Sequence, residues 1–156
     1  MQTGRRIAFD IGKSRIGVAV SDPHGILASP RDFVTRAADD EKTFSELVDI
    51  ISEAGAIAVF VGLPANLKNQ NTESTRDAIA IARQLAKLVE IPVRMVDERF
   101  TTKIASSAMS QAGKSTRHQR AGIDSAAAAI ILETALDYER LKEELAGTPI
   151  EEFADD

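Results

Sequence analysis

Four acidic residues stand where a carboxylate can do chemistry instead of merely facing water. Asp10 lies inside the apolar run Ile7-Ala8-Phe9-Asp10-Ile11-Gly12, and a charge in such a setting is costly unless something pairs with it or uses it. Gly12, two residues on, clears side-chain bulk so that a ligand or another stretch of backbone can approach. Asp97 and Glu98 directly follow the apolar stretch Val93-Arg94-Met95-Val96, and Asp124 opens Asp124-Ser125-Ala126-Ala127-Ala128-Ala129-Ile130-Ile131-Leu132. Each acid has a plainer competing role. Asp10 could cap a turn, Asp97 and Glu98 could be helix-entry acids favoured by the macrodipole, and Asp124 could be a helix N-cap. Carboxylates gathered from three separate elements point to something else, because they repel and raise one another's pKa unless a cation neutralises them. Oxygen donors with no cysteine in the chain and no histidine beside them fit Mg²⁺ or Mn²⁺ better than Zn²⁺. Neighbours on an extended segment point to opposite faces, so only one of Asp97 and Glu98 can turn toward Asp10. Local sequence leaves open which.

The elements that must position these groups follow from hydrophobic periodicity. Arg6 to Asp10, Ile16 to Ser21 and Ile26 to Val34 read as strands, with Asp22-Pro23-His24-Gly25 as a turn between the second and third. Glu41 to Ala54 reads as a helix, with Phe44, Leu47, Val48 and Ile51 at helical spacing and Gly55 as its stop. The continuous apolar run Ile57 to Gly62 has the pattern of a strand covered on both faces. Thr72 to Val89 predicts a second helix with Thr72 as its cap and Ile79, Ala82, Leu85 and Ala86 inward; Pro92 to Val96 predicts a further strand. Helices over Thr101 to Ala112 and Ile123 to about Glu144 follow, the alanines of the second permitting close approach to a sheet. The arrangement is α/β: a mixed sheet covered by helices, with ligands expected beyond the carboxyl ends of the strands. One domain over residues 1–146 and a loose acidic tail over 147–156 are expected.

Composition sets the partners. The chain has 156 residues, 44% of them hydrophobic, enough for one ordinary buried core. The absence of cysteine fits a reducing cytosol. No apolar run approaches the roughly 18 residues of a membrane span, and Met1-Gln2-Thr3-Gly4-Arg5-Arg6 has no signal-peptide pattern, so a cytoplasmic protein is expected. The net charge of −5 is unevenly spread: from Asp137 to Asp156 eight acids face only Arg140 and Lys142, leaving the remainder close to neutral. Arg99, Lys103, Lys114, Arg117 and Arg120 lie in a span without an intervening acid. Local potential steers a polyanion more than the global sum does, so an acidic total is compatible with a nucleic-acid partner.

The motifs AFDIGKSRIGVAVSD, VFVGLP, VDERFTT and IDSAAAAIIL, in this order and at these separations, resemble the YqgF family, also called RuvX, over about Arg6 to Leu136. The resemblance implies a ribonuclease H-like fold with a five-stranded mixed sheet whose first three strands are antiparallel. It also implies that Asp10, Glu98 and Asp124 are the catalytic, metal-holding set, which selects Glu98 over Asp97. In a two-metal reading Asp10 would bridge, with Glu98 and Asp124 each holding one side. Arg15, Arg99, Lys114, Arg117 and Arg120 are the expected contacts to nucleic acid. The implied activity is phosphodiester hydrolysis in 5′-end processing of pre-16S rRNA, within or beside a pre-ribosomal particle. Resolution of Holliday junctions in branched DNA is the alternative; it would require a homodimer, and a monomer would serve for the former. The family often continues Gly-Leu-Pro with Asn-Met-Asp-Gly, whereas Pro64 is followed here by Ala65-Asn66-Leu67-Lys68-Asn69, so no metal role is assigned to that loop. Two further classes compete. The Asp10 to Ala19 stretch resembles the phosphate-binding turn of actin-like ATPases, which need two such domains. A non-catalytic nucleic-acid-binding module is opposed by the presence of all three acids.

Overall fold

The apolar run expected to be covered on both faces does lie at the centre of a sheet. In the computed structural model, β4 (Ala58–Leu63) runs between β1 (Arg6–Ile11) and β5 (Val93–Asp97), parallel to both. The structure describes residues 1–64, 72–97 and 116–153, with 116–124 as helix backbone alone. The expected helix over Thr101 to Ala112 falls outside these residues. On the other side of β1, β2 (Arg15–Ser21) and β3 (Ala28–Thr35) continue the sheet antiparallel. Helices α1 (Asp40–Ala54) and α2 (Glu73–Leu88) cover one face and α3 (Thr116–Lys142) the other. With β6 (Thr148–Pro149) beyond β5, the strand order is β3-β2-β1-β4-β5-β6, one strand more than the expected five.

Strand alternation sorts the core into two layers. Ile7, Phe9, Ile16, Val18, Val59 and Val61 face α1 and α2, meeting Leu47, Ile51, Ala78, Ile81, Ala82 and Leu85. Ala8, Ala19, Ala58, Phe60 and Val96 face α3, meeting Ala128, Ile131, Leu132, Ala135 and Leu136. The predicted caps operate: Thr72 accepts from the Thr75 N–H at 3.2 Å, and the Gly55 N–H closes α1 on Ile51 and Ser52 carbonyls. The buried stripe of α2 is turned by one residue from the expected one. Ala78 and Ile81 are buried beside Ala82 and Leu85, whereas Ile79 and Ala86 sit at the margin.

Two local expectations give way to side-chain hydrogen bonding. The third strand starts at Ala28 rather than Ile26 because the Asp22 carboxylate captures the preceding amides. It accepts from His24, Ile26 and Leu27 N–H groups at 3.1, 2.7 and 2.8 Å. These are bonds a ladder would otherwise use. The segment expected as a tail carries secondary structure as far as Glu152. Thr148–Pro149 forms β6 against Arg94 and Met95, Ile150–Glu152 forms a 3₁₀ turn, and Ile150 is buried. Gly147 makes this turn at φ +77°, where an added Cβ would come within 2.2 Å of the Met95 carbonyl oxygen. Arg94 fastens the same segment, donating to the Ala146 and Gly147 carbonyls at 2.6 Å each. α3 begins at Thr116, well before the expected Ile123.

The far half of α3 is fixed by an ion pair inside the protein. Arg6, fully buried, donates to Glu139 at 2.7 and 3.2 Å and to the Gly4 and Gln2 carbonyls at 2.5 and 2.6 Å. Removing one partner of such a pair strands a buried charge. Glu139→Ala should therefore destabilise the fold by about 3–5 kcal/mol, read as a lowered midpoint in urea unfolding; a shift within about 0.5 kcal/mol would remove the pair from any structural role. The Asp22 turn gives a pH prediction. Its carboxyl is held below the usual carboxylate range chiefly by the Leu27 N–H; desolvation opposes this, and the Ile26 and His24 N–H groups add to it. A depressed carboxyl contributes its stability above the unfolded pKa of about 3.9 and loses it as pH falls through the folded value. Amide exchange at Ile26 and Leu27 should be slow at neutral pH and accelerate, beyond the intrinsic trend, only below about pH 4; protection that persists unchanged to pH 2 would contradict the assignment.

Candidate metal and nucleic-acid site

Asp10 is the next-to-last residue of β1, half-buried, at the carboxyl-end rim shared by β1, β4 and β5. Alternation from Ala8 turns its side chain to the α3 face. Its partner on β2 is Gly17, and one step beyond the Phe9–Val61 pair on β4 stands Gly62. Both cross-strand neighbours of this carboxylate are therefore glycines, so neither β2 nor β4 places a side chain against it.

The other two expected acids are placed to different depths. Asp97 ends β5 opposite Leu63. It shares the parity of Val93 and Met95, which face α1 and α2, and so turns away from Asp10. Glu98 lies outside the described residues. Asp124 is placed as backbone within α3, immediately before Ser125. Ser125 is completely buried; its hydroxyl accepts from the Val18 N–H at 3.0 Å and donates to the Arg31 carbonyl at 2.6 Å. Val18 follows Gly17, so this contact brings the backbone of Asp124 to the part of the sheet that holds Asp10. Among the described residues no cluster of three metal-binding side chains is present, as expected when one of the three acids is described with its side chain.

The turn after Asp10 is fixed from several sides. The Gly12 N–H donates to the Arg15 carbonyl at 2.9 Å, and a Cβ on Gly12 would meet that oxygen at 2.6 Å. The close approach is thus to backbone. Arg36 ties the turn to α2, donating to the Gly12 carbonyl at 3.0 Å and to Asp77 at 2.6 and 3.2 Å. Donating to Asp77 raises the Arg36 pKa further, with partial desolvation opposing it.

Of the expected nucleic-acid contacts, Arg15 is the one described with its side chain. It is exposed at the start of β2, on the same face as Asp10 and Gly17, with its guanidinium 4.8 Å from the centre of the Phe33 ring. Arg117 and Arg120 occupy backbone positions in the first two turns of α3, and positions 117, 120 and 124 fall on one helical stripe. Arg99 and Lys114 lie outside the described residues. Sequence reasoning overlooked Ser125, Arg36 and Phe33. A lone serine in an alanine run was the available signal for the first; the other two act through contacts far apart in sequence.

Comparison with known proteins identifies relatives in sequence and in fold. The family model RuvX, described as Holliday junction resolvase, matches residues 4–138. A protein of Leifsonia xyli subsp. xyli named "Putative pre-16S rRNA nuclease" is 43% identical over 153 residues, covering 97% of each chain. A relative of the same name from Mycobacteroides abscessus is 44% identical over 138 residues, covering 88% of this chain and 83% of its own. Among solved structures, Thermus thermophilus RuvC in complex with a Holliday junction substrate superposes with a TM-score of 0.66 at 13% identity, covering 94% of this chain and 99% of that one. This likeness shows the fold, which is ribonuclease H-like with a mixed sheet flanked by helices. By the family match and the close relatives together, the chain belongs to the RuvX family.

Proposed function

We propose that the protein is a metal-dependent nuclease that hydrolyses a phosphodiester bond in maturing the 5′ end of pre-16S rRNA. One observation carries the reading: a half-buried carboxylate, Asp10, stands at the strand-end rim between two glycines on the face covered by α3. The name borne by the 43–44% identical relatives supports the choice of RNA as substrate. A half-buried strand-end acid flanked by glycines fits a small hard cation with oxygen ligands. Asp10, Glu98 and Asp124 would hold Mg²⁺ or Mn²⁺. When bound, the metal supplies an activated water and charge stabilisation at the leaving oxygen.

The chain's other residues bind and orient. Arg15 would take a phosphate beside the scissile bond, and Arg99, Lys114, Arg117 and Arg120 would neutralise further phosphates of the strand. Such contacts fix register on the strand without reading its sequence, so selection of the cleavage site falls to a partner such as the pre-ribosomal particle. No helix among the described residues is long and apolar enough to cross a membrane, which accords with a cytoplasmic site of action. Cutting one RNA strand needs one site and a monomer suffices; resolving a junction would need two sites and hence a homodimer.

The test is cleavage of a labelled pre-16S rRNA 5′ segment and of a four-way DNA junction with Mg²⁺ or Mn²⁺, comparing wild type with Asp10→Asn. The RNA should be cut by wild type alone. The variant should lose at least about 100-fold in rate, the scale of several kcal/mol of lost transition-state stabilisation, with an unchanged melting temperature. Equal cleavage by the variant would sink the metal-site reading, symmetric cuts confined to the junction would replace the RNA assignment, and binding without cleavage would leave a nucleic-acid-binding module.

A further inference from the structure

Resting on the metal-site reading above, we infer that Ser125 is a positioning residue that sets the approach of the Asp124 segment to Asp10 by bridging an irregularity in the β2–β3 ladder. Between the pairs Ile16–Val34 and Val18–Arg31 the register shifts, so that Asp32 and Phe33 stand opposite the single residue Gly17. This is a β-bulge, a device that re-aims a strand where pairing is interrupted. The Ser125 hydroxyl sits on its edge. It takes the Val18 N–H at 3.0 Å and gives its own proton to the Arg31 carbonyl at 2.6 Å, so the pair immediately beyond the shift is joined through it.

Its location explains why this contact bears on the site and not only on packing. Gly17, the unbulged residue at the irregularity, is the cross-strand partner of Asp10. Asp124 is the residue just before Ser125 on the helix. One hydroxyl therefore joins the backbone beside one acid to the backbone beside the other. A metal-binding pair on separate elements needs its spacing held to a fraction of an ångström, and such holding comes from supporting hydrogen bonds.

The usual reasons for a serine in a helix do not apply. Ser125 lies well inside α3, past Thr116 to Asp124, so it caps no helix start. Its proton goes to Arg31 and not to a carbonyl of its own helix. The residues from Ala126 to Ala129 are all alanine, and alanine is the better helix former at an interior position. A local choice that opposes propensity and is fully satisfied elsewhere marks a position with another task.

A second buried bridging hydroxyl supplies the control. At the far end of β2, Ser21 accepts from the Arg6 N–H and donates to the Asp22 carbonyl, both at 2.9 Å. Full-length wild type, Ser125→Ala, Ser21→Ala and Asp10→Asn would be titrated with Mn²⁺ alone, reading free metal by its paramagnetic resonance signal, and melted in parallel. The expected result is Mn²⁺ binding at least about 10-fold weaker in Ser125→Ala. Ser21→Ala should melt at a similarly lowered temperature with unaltered binding. In cleavage assays Ser125→Ala should require correspondingly more Mn²⁺ while KM for RNA stays unchanged. Wild-type Mn²⁺ affinity in Ser125→Ala, or equal weakening in Ser21→Ala, overturns the positioning role. If Ser125→Ala does not fold, the near-isosteric Ser125→Cys, with its weaker thiol donor, carries the same expectation and the same refutation. Asp10→Asn separates the two levels. Undiminished binding there removes the metal site itself, whereas loss there beside unchanged binding in Ser125→Ala removes only the inference about Ser125.

Discussion

The close seating of α3 on one face of the sheet is the constraint on which the rest of the architecture hangs. Helix and sheet can approach because small residues meet there: Ala8, Ala19 and Ala58 from the strands, Ala128 and Ala135 from the helix. Close approach by apolar contact alone would leave the helix free to slide, since alanine surfaces interlock weakly. Two polar contacts prevent it. Ser125 is bonded to β2 and β3 near one end, and Glu139 is paired with Arg6 of β1 near the other. They are separated by about 21 Å of helix at 1.5 Å per residue, so translation and tilt are both defined. The apolar contact between them supplies most of the free energy and the polar ends supply the register.

The sheet's topology does the remaining work. Because β1, β4 and β5 are parallel neighbours, their carboxyl ends reach the same rim, and residues from distant parts of the chain arrive there without any long excursion. The pleat then decides which side each faces. Asp10 and Asp97 both occupy strand ends, yet alternation sends one toward α3 and the other toward α1 and α2. Gly17 and Gly62 place no side chain beside Asp10, while Arg36 and Asp77 hold the following turn from the opposite face.

Much of this was legible in the sequence where the signal is local. The six apolar residues from Ile57 to Gly62, the Thr72 cap and the Gly55 stop each produce their structure through short-range physics. The motifs around Asp10 and Asp124 pointed to the elements that bear these acids. What escaped reading depends on distant partners or on segments too short to have a period. Ile26 and Leu27 look like strand residues until the Asp22 carboxylate is seen to occupy their amides. A strand of Thr148 and Pro149 alone has no alternation to detect. The polar opening of α3, which includes Gly122, hides its helical character. Ser125 reads as one more small residue in an alanine run, because its meaning lies in Val18 and Arg31, more than ninety positions earlier.

The little strand made by Thr148 and Pro149 has a consequence for how copies of this chain meet in a crowded solution. Without it, β5 would present a long row of unpaired amides and carbonyls, a template for adding a foreign strand. With it, that border ends in two residues, one of them a proline, followed by a turn that leads the chain away. The opposite border, β3, carries Pro30 and the charged Asp32 together with its bulge. Each is a feature that spoils continuous pairing. The described margins of the sheet thus oppose growth by strand addition, which guards the chain against fibrillar association when many copies are crowded together.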